Sequence, residues 1–214
     1  MKRIYIILLM MTSALLMNAQ IDPEASALLK KVSAKYKAYT SSKTDYSIKI
    51  HFAEAKTDIV KKGTLYLKGA KFKMQIDEVI STCDGKNIWN YLPNEKQVQI
   101  SVYDKADGNI SPEKFFTLWE KDYIYRIKEK KTVNGKNTAV IEMSPTTKKN
   151  GGIFKIDVTI NTSTNELMSF LIYEKNGTRT TYTINTTTPN ISLAETFFTF
   201  DAKQFPGVEV VDLR

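Results

Sequence analysis

The sequence is poor in side chains that make and break bonds. His51 is the sole histidine and Cys83 the sole cysteine. A metal site built on imidazoles is therefore excluded, and acid–base work at His51 lacks an identifiable partner. His51 falls on the polar side of an alternating stretch, where an exposed side chain is expected. Cys83 sits beside the Asp84-Gly85 turn and reads as a small buried filler. Asp77, Glu78 and Asp84 are close in sequence. A carboxylate pair could serve a hydrolase, but these three surround strand ends and a turn, and their spacing fixes no separation. The sequence carries no serine elbow, histidine-containing triad, phosphate-binding glycine loop or metal-ligand cluster. It points to a binding protein rather than an enzyme, with no catalytic residue, no metal and no cofactor.

The apolar residues carry the clearer signal. From Val79 to Tyr103 the chain reads as strand, turn, short strand, turn, strand. Asp84-Gly85 and Pro93-Asn94 mark the turns, and Val98, Ile100 and Val102 alternate with Gln97, Gln99 and Ser101. The same period of two recurs in Tyr46–Phe52, Gly63–Leu67, Phe72–Ile76, Tyr123–Lys131, Thr138–Met143, Ile153–Ile160, Leu167–Glu174 and Arg179–Ile184. Val133 to Lys136 and Lys175 to Thr178 are hairpin turns built on Asn-Gly. Phe197, Phe198 and Phe200 suggest a last strand or extended segment, and Val208–Val211 runs to a polar end.

Two helices are expected. Asp22 caps the first, Pro23 suits its first turn, and Ala25, Leu28, Leu29, Val32, Tyr36 and Tyr39 form one apolar stripe. The second opens at Ser111-Pro112-Glu113 and carries Phe115, Phe116, Leu118 and Trp119. Such an aromatic helix either plugs one end of a barrel-like sheet or covers an apolar cavity. The expected fold is mainly β (α+β): an unclosed, strongly curved antiparallel β-barrel of about 11 strands with a helical lid.

Residues 1–19 read as a signal peptide, with Lys2 and Arg3 before an apolar run and Ala19 at the cut. Residues 20–214 then form a single domain exported to the periplasm, expected to be monomeric. The chain carries a formal charge of +8. Loss of Lys2 and Arg3 lowers the excess from +8 to +6, spread over lysine-rich strand faces with no nucleic-acid motif.

Val79 to Val98, with the pattern S-x-C-D-G-K-x-I-W-x-Y-x-P-x-x-x-Q-V, resembles the LolA family of periplasmic outer-membrane lipoprotein carriers. The likeness extends to Gly63-Thr64-Leu65-Tyr66-Leu67, to Phe198-x-Phe200 and to Pro206-Gly207-Val208-x-Val210-x-Asp212. It implies an apolar cavity that accepts the acyl chains of lipoproteins from an inner-membrane ABC-type release complex and delivers them to an outer-membrane acceptor. The alternative is a periplasmic carrier or sensor of another lipid or glycolipid. In the family an arginine after the G-x-L-x-x strand ties barrel to lid. Gly69 stands at that position here, with Lys68 and Lys71 as neighbouring cations. The residues expected on the concave face are Phe72, Met74, Ile88, Trp89, Tyr91, Phe154, Ile156 and Leu171. Those expected in the lid are Leu28, Val32, Phe115, Phe116, Leu118 and Trp119. A slip of one residue exchanges the faces of a strand, and Ile88 and Trp89 cannot both point inward.

Overall fold

The computed structural model describes residues 22–104, 112–147 and 152–214. The leader expected over 1–19 and the Ser111 cap lie outside the described residues. Helix α1 spans Pro23–Lys37. Six strands follow: β1 (Ser42–Phe52), β2 (Thr57–Lys68), β3 (Lys71–Ile76), β4 (Val79–Cys83), β5 (Asn87–Leu92) and β6 (Gln97–Val102). The aromatic segment Pro112–Glu120 is a 3-10 helix. Then come β7 (Tyr123–Val133), β8 (Lys136–Pro145), β9 (Ile153–Asn161), β10 (Glu166–Glu174), β11 (Arg179–Pro189) and β12 (Glu209–Asp212).

All twelve strands belong to one sheet, ordered β12-β6-β5-β4-β3-β2-β1-β11-β10-β9-β8-β7. Sequential neighbours pair through short turns. At Asn134-Gly135 both residues have positive φ, 50° and 73°, as the tight hairpin turn between β7 and β8 requires. Two meanders, β1–β6 and β7–β11, meet only where β1 pairs with β11, from Ser42↔Pro189 to His51↔Arg179. This seam carries a bulge: Asp45 faces Thr186 but Tyr46 faces Ile184, leaving Asn185 as the extra residue. The expectation of about eleven antiparallel strands misses one feature. β12 runs parallel to β6, with Glu209 opposite Gln97. A parallel neighbour needs a long return, and residues 190–208 supply it.

That return corrects the reading of Phe197, Phe198 and Phe200 as one last strand or extended segment. Glu195–Phe198 is a 3-10 turn. Its neighbouring rings serve different partners: Phe197 meets Tyr66 edge-on at 4.9 Å, and Phe198 is fully buried. The segment is a strap across the outer face of β2–β6, and Phe200 and Phe205 stack on each other at 5.0 Å.

The inner face holds two apolar clusters. One joins α1 and the aromatic segment to β7–β10 through Leu29, Val32, Phe116, Trp119, Ile141, Ile156 and Phe170. The other joins β1–β4 through Tyr46, Ile48, Leu65, Phe72 and Cys83. Leu67, Tyr182 and Ile184 pack against both.

Candidate functional site: a lidded apolar cavity

The lid is fastened on one side. Asp22 caps α1 by accepting from the N–H groups of Glu24 (2.9 Å) and Ala25 (3.2 Å). Its second oxygen accepts from the N–H of Ile127 on β7 at 2.9 Å. That last bond, with the other backbone donors, holds the Asp22 carboxyl below its usual range. Lys130 of β7 pairs with Glu24. Further along, Lys35 reaches Glu166 of β10 at 2.9 Å, and the Tyr36 hydroxyl accepts from the N–H of Leu167 at 3.2 Å. The aromatic segment is tied to α1. Trp119 Nε1 donates to Ser33 Oγ at 2.9 Å, Lys37 pairs with Glu120 at 2.6 Å, and Phe116 stacks on Tyr36 at 4.3 Å.

Toward β1–β3 the lid presents aromatic rings instead. Beneath them lies a cavity of about 220 Å³. Its walls are Thr44 and Tyr46 of β1, Leu65 of β2, and Met74 and Ile76 of β3 on one side. Ile172, Tyr182 and Ile184 form the other, and Pro112, Phe115 and Phe116 the roof. The cavity sits on the β1–β11 seam. Phe115 packs on Phe170 at 4.3 Å and on Tyr182 at 5.6 Å. Tyr46 lies flat over Gly63: a Cβ there would stand 2.5 Å from Tyr46 Cζ. The glycine that opens the Gly63-Thr64-Leu65-Tyr66-Leu67 string is thus where a wall ring crosses the backbone.

The expected cavity residues divide by face. Phe72, Met74, Ile88 and Ile156 are on the inner face, and of these Met74 borders the cavity. Phe72 is fully buried below it with Cys83, which Ile88 faces across the β4–β5 pair. The other four are corrections. Trp89 and Tyr91 follow Ile88 out of phase and face outward. Trp89 pairs with Thr82 and Ile100, and Tyr91 packs under the strap against Phe205 at 4.4 Å. Leu171 lies between inward-facing Phe170 and Ile172, so it too points outward, among Lys49, His51 and Arg179. Phe154 shares the parity of Ile156, but the β9–β10 register shifts between Tyr173 and Glu174. The irregularity turns Phe154 out to 46% exposure, against the outer ring of Tyr173.

The expected lid residues all lie in the cover: Leu28 and Val32 on α1, and Phe115, Phe116, Leu118 and Trp119 on the aromatic segment, all packed in the first cluster. Residue-type reasoning missed Tyr46, Leu65, Ile76, Ile172, Tyr182 and Ile184 as walls. The signal was present in the alternation of Tyr46-Ser47-Ile48 and Tyr182-Thr183-Ile184, but only pairing of two strands some 140 residues apart in sequence makes them neighbours.

The family latch has no counterpart at Gly69, which adopts φ +59° with open space where a Cβ would stand. Lys68 and Lys71 do not replace it. Both pair with Glu195 of the strap, and Lys68 also donates to the carbonyl of Leu193 at 2.8 Å. Their donated bonds pull the Glu195 carboxyl down to about 2.

The chemistry available at the cavity is that of a container. Burial pushes the Tyr36 phenol up to about 12 and raises Tyr46 and Tyr182, so all three stay neutral at ordinary pH. His51 is far from the cavity on the outer face, its Nδ1 2.8 Å from Asp58. No group of His, Cys, Asp and Glu able to hold a metal ion occurs among the described residues.

Comparison with known proteins agrees with this geometry. No curated protein matches the chain. Among solved structures it is similar to an uncharacterized conserved protein from Thermus thermophilus, at TM-score 0.58 and 12% identity, covering 88% of this chain and 99% of that one. It is also similar to a DUF1329 family protein from Desulfovibrio piger, with TM-score 0.49, 12% identity, and 83% and 98% of the two chains covered. A LolA superfamily protein from Nitrosomonas europaea matches at TM-score 0.44 and 12% identity, over 82% and 97%. The family model described as "Outer membrane lipoprotein carrier protein LolA" matches residues 37–201. With the unclosed twelve-stranded sheet and its helical lid in place, the chain belongs to the LolA family.

Proposed function

We propose that the protein is a periplasmic carrier that holds the acyl chains of lipoproteins in the lidded cavity and moves them from the inner to the outer membrane. Residues 1–19 direct export and are removed, and residues 20–214 act as one monomeric domain. An inner-membrane ABC-type release complex loads the carrier, and an outer-membrane acceptor empties it. The observation that carries this reading is the cavity itself: apolar walls from both meanders under a roof of Pro112, Phe115 and Phe116. Each sequestered methylene is worth roughly 0.8 kcal/mol, so burial alone accounts for solubilising an acyl chain, and transfer needs a more favourable acceptor pocket rather than a chemical step.

The closed volume of about 220 Å³ is below the roughly 300–1,000 Å³ of pockets for drug-sized ligands. Loading therefore displaces the roof. The lid's ties to β7 and β10 let it remain fastened on that side while Phe115 and Phe116 lift from β1–β3. The test is binding of a fluorescent dipalmitoyl lipopeptide to the purified exported protein, together with depletion in cells. Saturable binding, and lipoproteins stranded at the inner membrane on depletion, are expected. Normal sorting under depletion with no lipopeptide binding would overturn the proposal.

A further inference from the structure

Beside the apolar cavity lies a second, differently lined space. A cleft of about 190 Å³ opens between the end of α1, the aromatic segment and the β2–β3 turn, and Gly69 forms part of its floor. Gly69 puts no side chain there, and nothing lies within 4 Å of where its Cβ would be. Phe116 borders both the cleft and the cavity. The two spaces are therefore neighbours across one ring, one apolar and the other rich in hydroxyls.

Three of the cleft's polar residues, Thr40, Ser41 and Lys37, already donate to partners in the fold. The Thr40 hydroxyl donates to Asn190 Oδ1 at 3.1 Å, and the Ser41 hydroxyl to the Ile191 carbonyl at 2.5 Å. Lys37 is held by both oxygens of Glu120, at 2.6 and 2.8 Å. What Thr40 and Ser41 still offer is acceptor lone pairs. That part of the lining suits a head group that donates hydrogen bonds better than one that only accepts them.

We infer that the Gly69 cleft is the head-group site of the carrier: the acyl chain passes Phe116 into the cavity, and an amide-bearing, peptide-like head remains in the cleft. This rests on the acyl-carrier reading and adds to it the position and chemistry of the cargo's polar end. Phe116 becomes the gate at the junction of chain and head.

The experiment compares three probes on the purified exported protein: an N-palmitoyl dipeptide, palmitate, and hexadecylphosphocholine, whose phosphate head accepts hydrogen bonds and donates none. Two variants fill the cleft from different walls, Thr117→Trp from the aromatic segment and Thr40→Phe from the segment that leaves α1, each checked for folding by its melting temperature. Both variants should weaken N-palmitoyl dipeptide binding by about tenfold, the size of one lost hydrogen bond and its packing. Palmitate, with almost no head, should change by less than about twofold. Unchanged dipeptide affinity in the variants, or a parallel loss for palmitate, overturns the head-group site while leaving the carrier reading intact. Equal affinity of the unmodified protein for hexadecylphosphocholine and the dipeptide overturns the preference for a donating head. Failure of the unmodified protein to bind any of the three overturns the head-group site, and failure to bind the dipalmitoyl lipopeptide as well, with normal sorting on depletion, overturns the carrier reading.

Discussion

Replacing Gly63 by alanine tests whether the cavity wall is built as described. A Cβ at position 63 would stand 2.5 Å from Tyr46 Cζ and 2.7 Å from both its Cε2 and its hydroxyl oxygen, whereas ordinary contact begins near 3.4 Å. The ring must retreat by roughly 1 Å, a repacking that falls in the class of overpacked cores costing ~1–3 kcal/mol. The backbone adds nothing to this, because Gly63 does not occupy the positive-φ region. Tyr46 borders the cavity, so the ring has somewhere to go, and the cost belongs at the lower end, ~1 kcal/mol. For a domain of this size that lowers the melting temperature by about 2–4 °C. The volume is taken from the cavity, so lipopeptide affinity falls with it. The assay is thermal unfolding of Gly63→Ala in the native background and in Tyr46→Leu, with lipopeptide titration of each. In the Tyr46→Leu background the clash is gone and Gly63→Ala should be close to neutral, a coupling between contacting residues. An equal penalty in both backgrounds would refute the contact between ring and backbone, and an unchanged affinity would refute the place of Tyr46 in the wall.

Glu195 offers a pH test of the strap. Its carboxyl lies at about 2 in the folded chain against an ordinary 4.5, because Lys68 and Lys71 donate to it. Its contribution to stability is therefore full above pH 4.5 and is lost as pH falls from there toward about 2. Glu195→Gln should flatten the acid limb of the stability–pH curve over that window, and parallel curves would show that the pair does not fasten the strap. Phe198, fully buried beneath the strap, should cost ~3–5 kcal/mol when cut to alanine. A drop in the urea midpoint, with earlier proteolytic cleavage in residues 190–208, is expected, and an unchanged midpoint would mean that the ring is no anchor.

The strands and the first helix were legible because alternation and capping are local. Asp22-Pro23 caps α1 as residue type alone implies, and Asn134-Gly135 turns where it should. The faces were less legible. Trp89, Tyr91 and Leu171 are large and apolar, yet they point away from the cavity, because the outer face of β5 is itself covered by the strap and β10 carries apolar residues on both sides. No local pattern reveals that 190–208 folds back over β2–β6. Phe154 was lost to a register irregularity, which alternation cannot foresee. The cavity's best walls, Tyr46 and Ile184, meet only through the longest-range pairing in the sheet.

That pairing also bears on how the molecule assembles. Each meander is made of hairpins whose strands are close in sequence, whereas Ser42 must find Pro189 across almost the whole described chain. Loop-closure entropy opposes this step until both meanders are formed. The seam is then the last joint between the two meanders to zip. A ligand between Tyr46 and Ile184 touches both meanders at once. Cargo would thus act as a staple on the slowest-forming joint of the fold, and a loaded carrier would hold the seam's amide protons longer than an empty one.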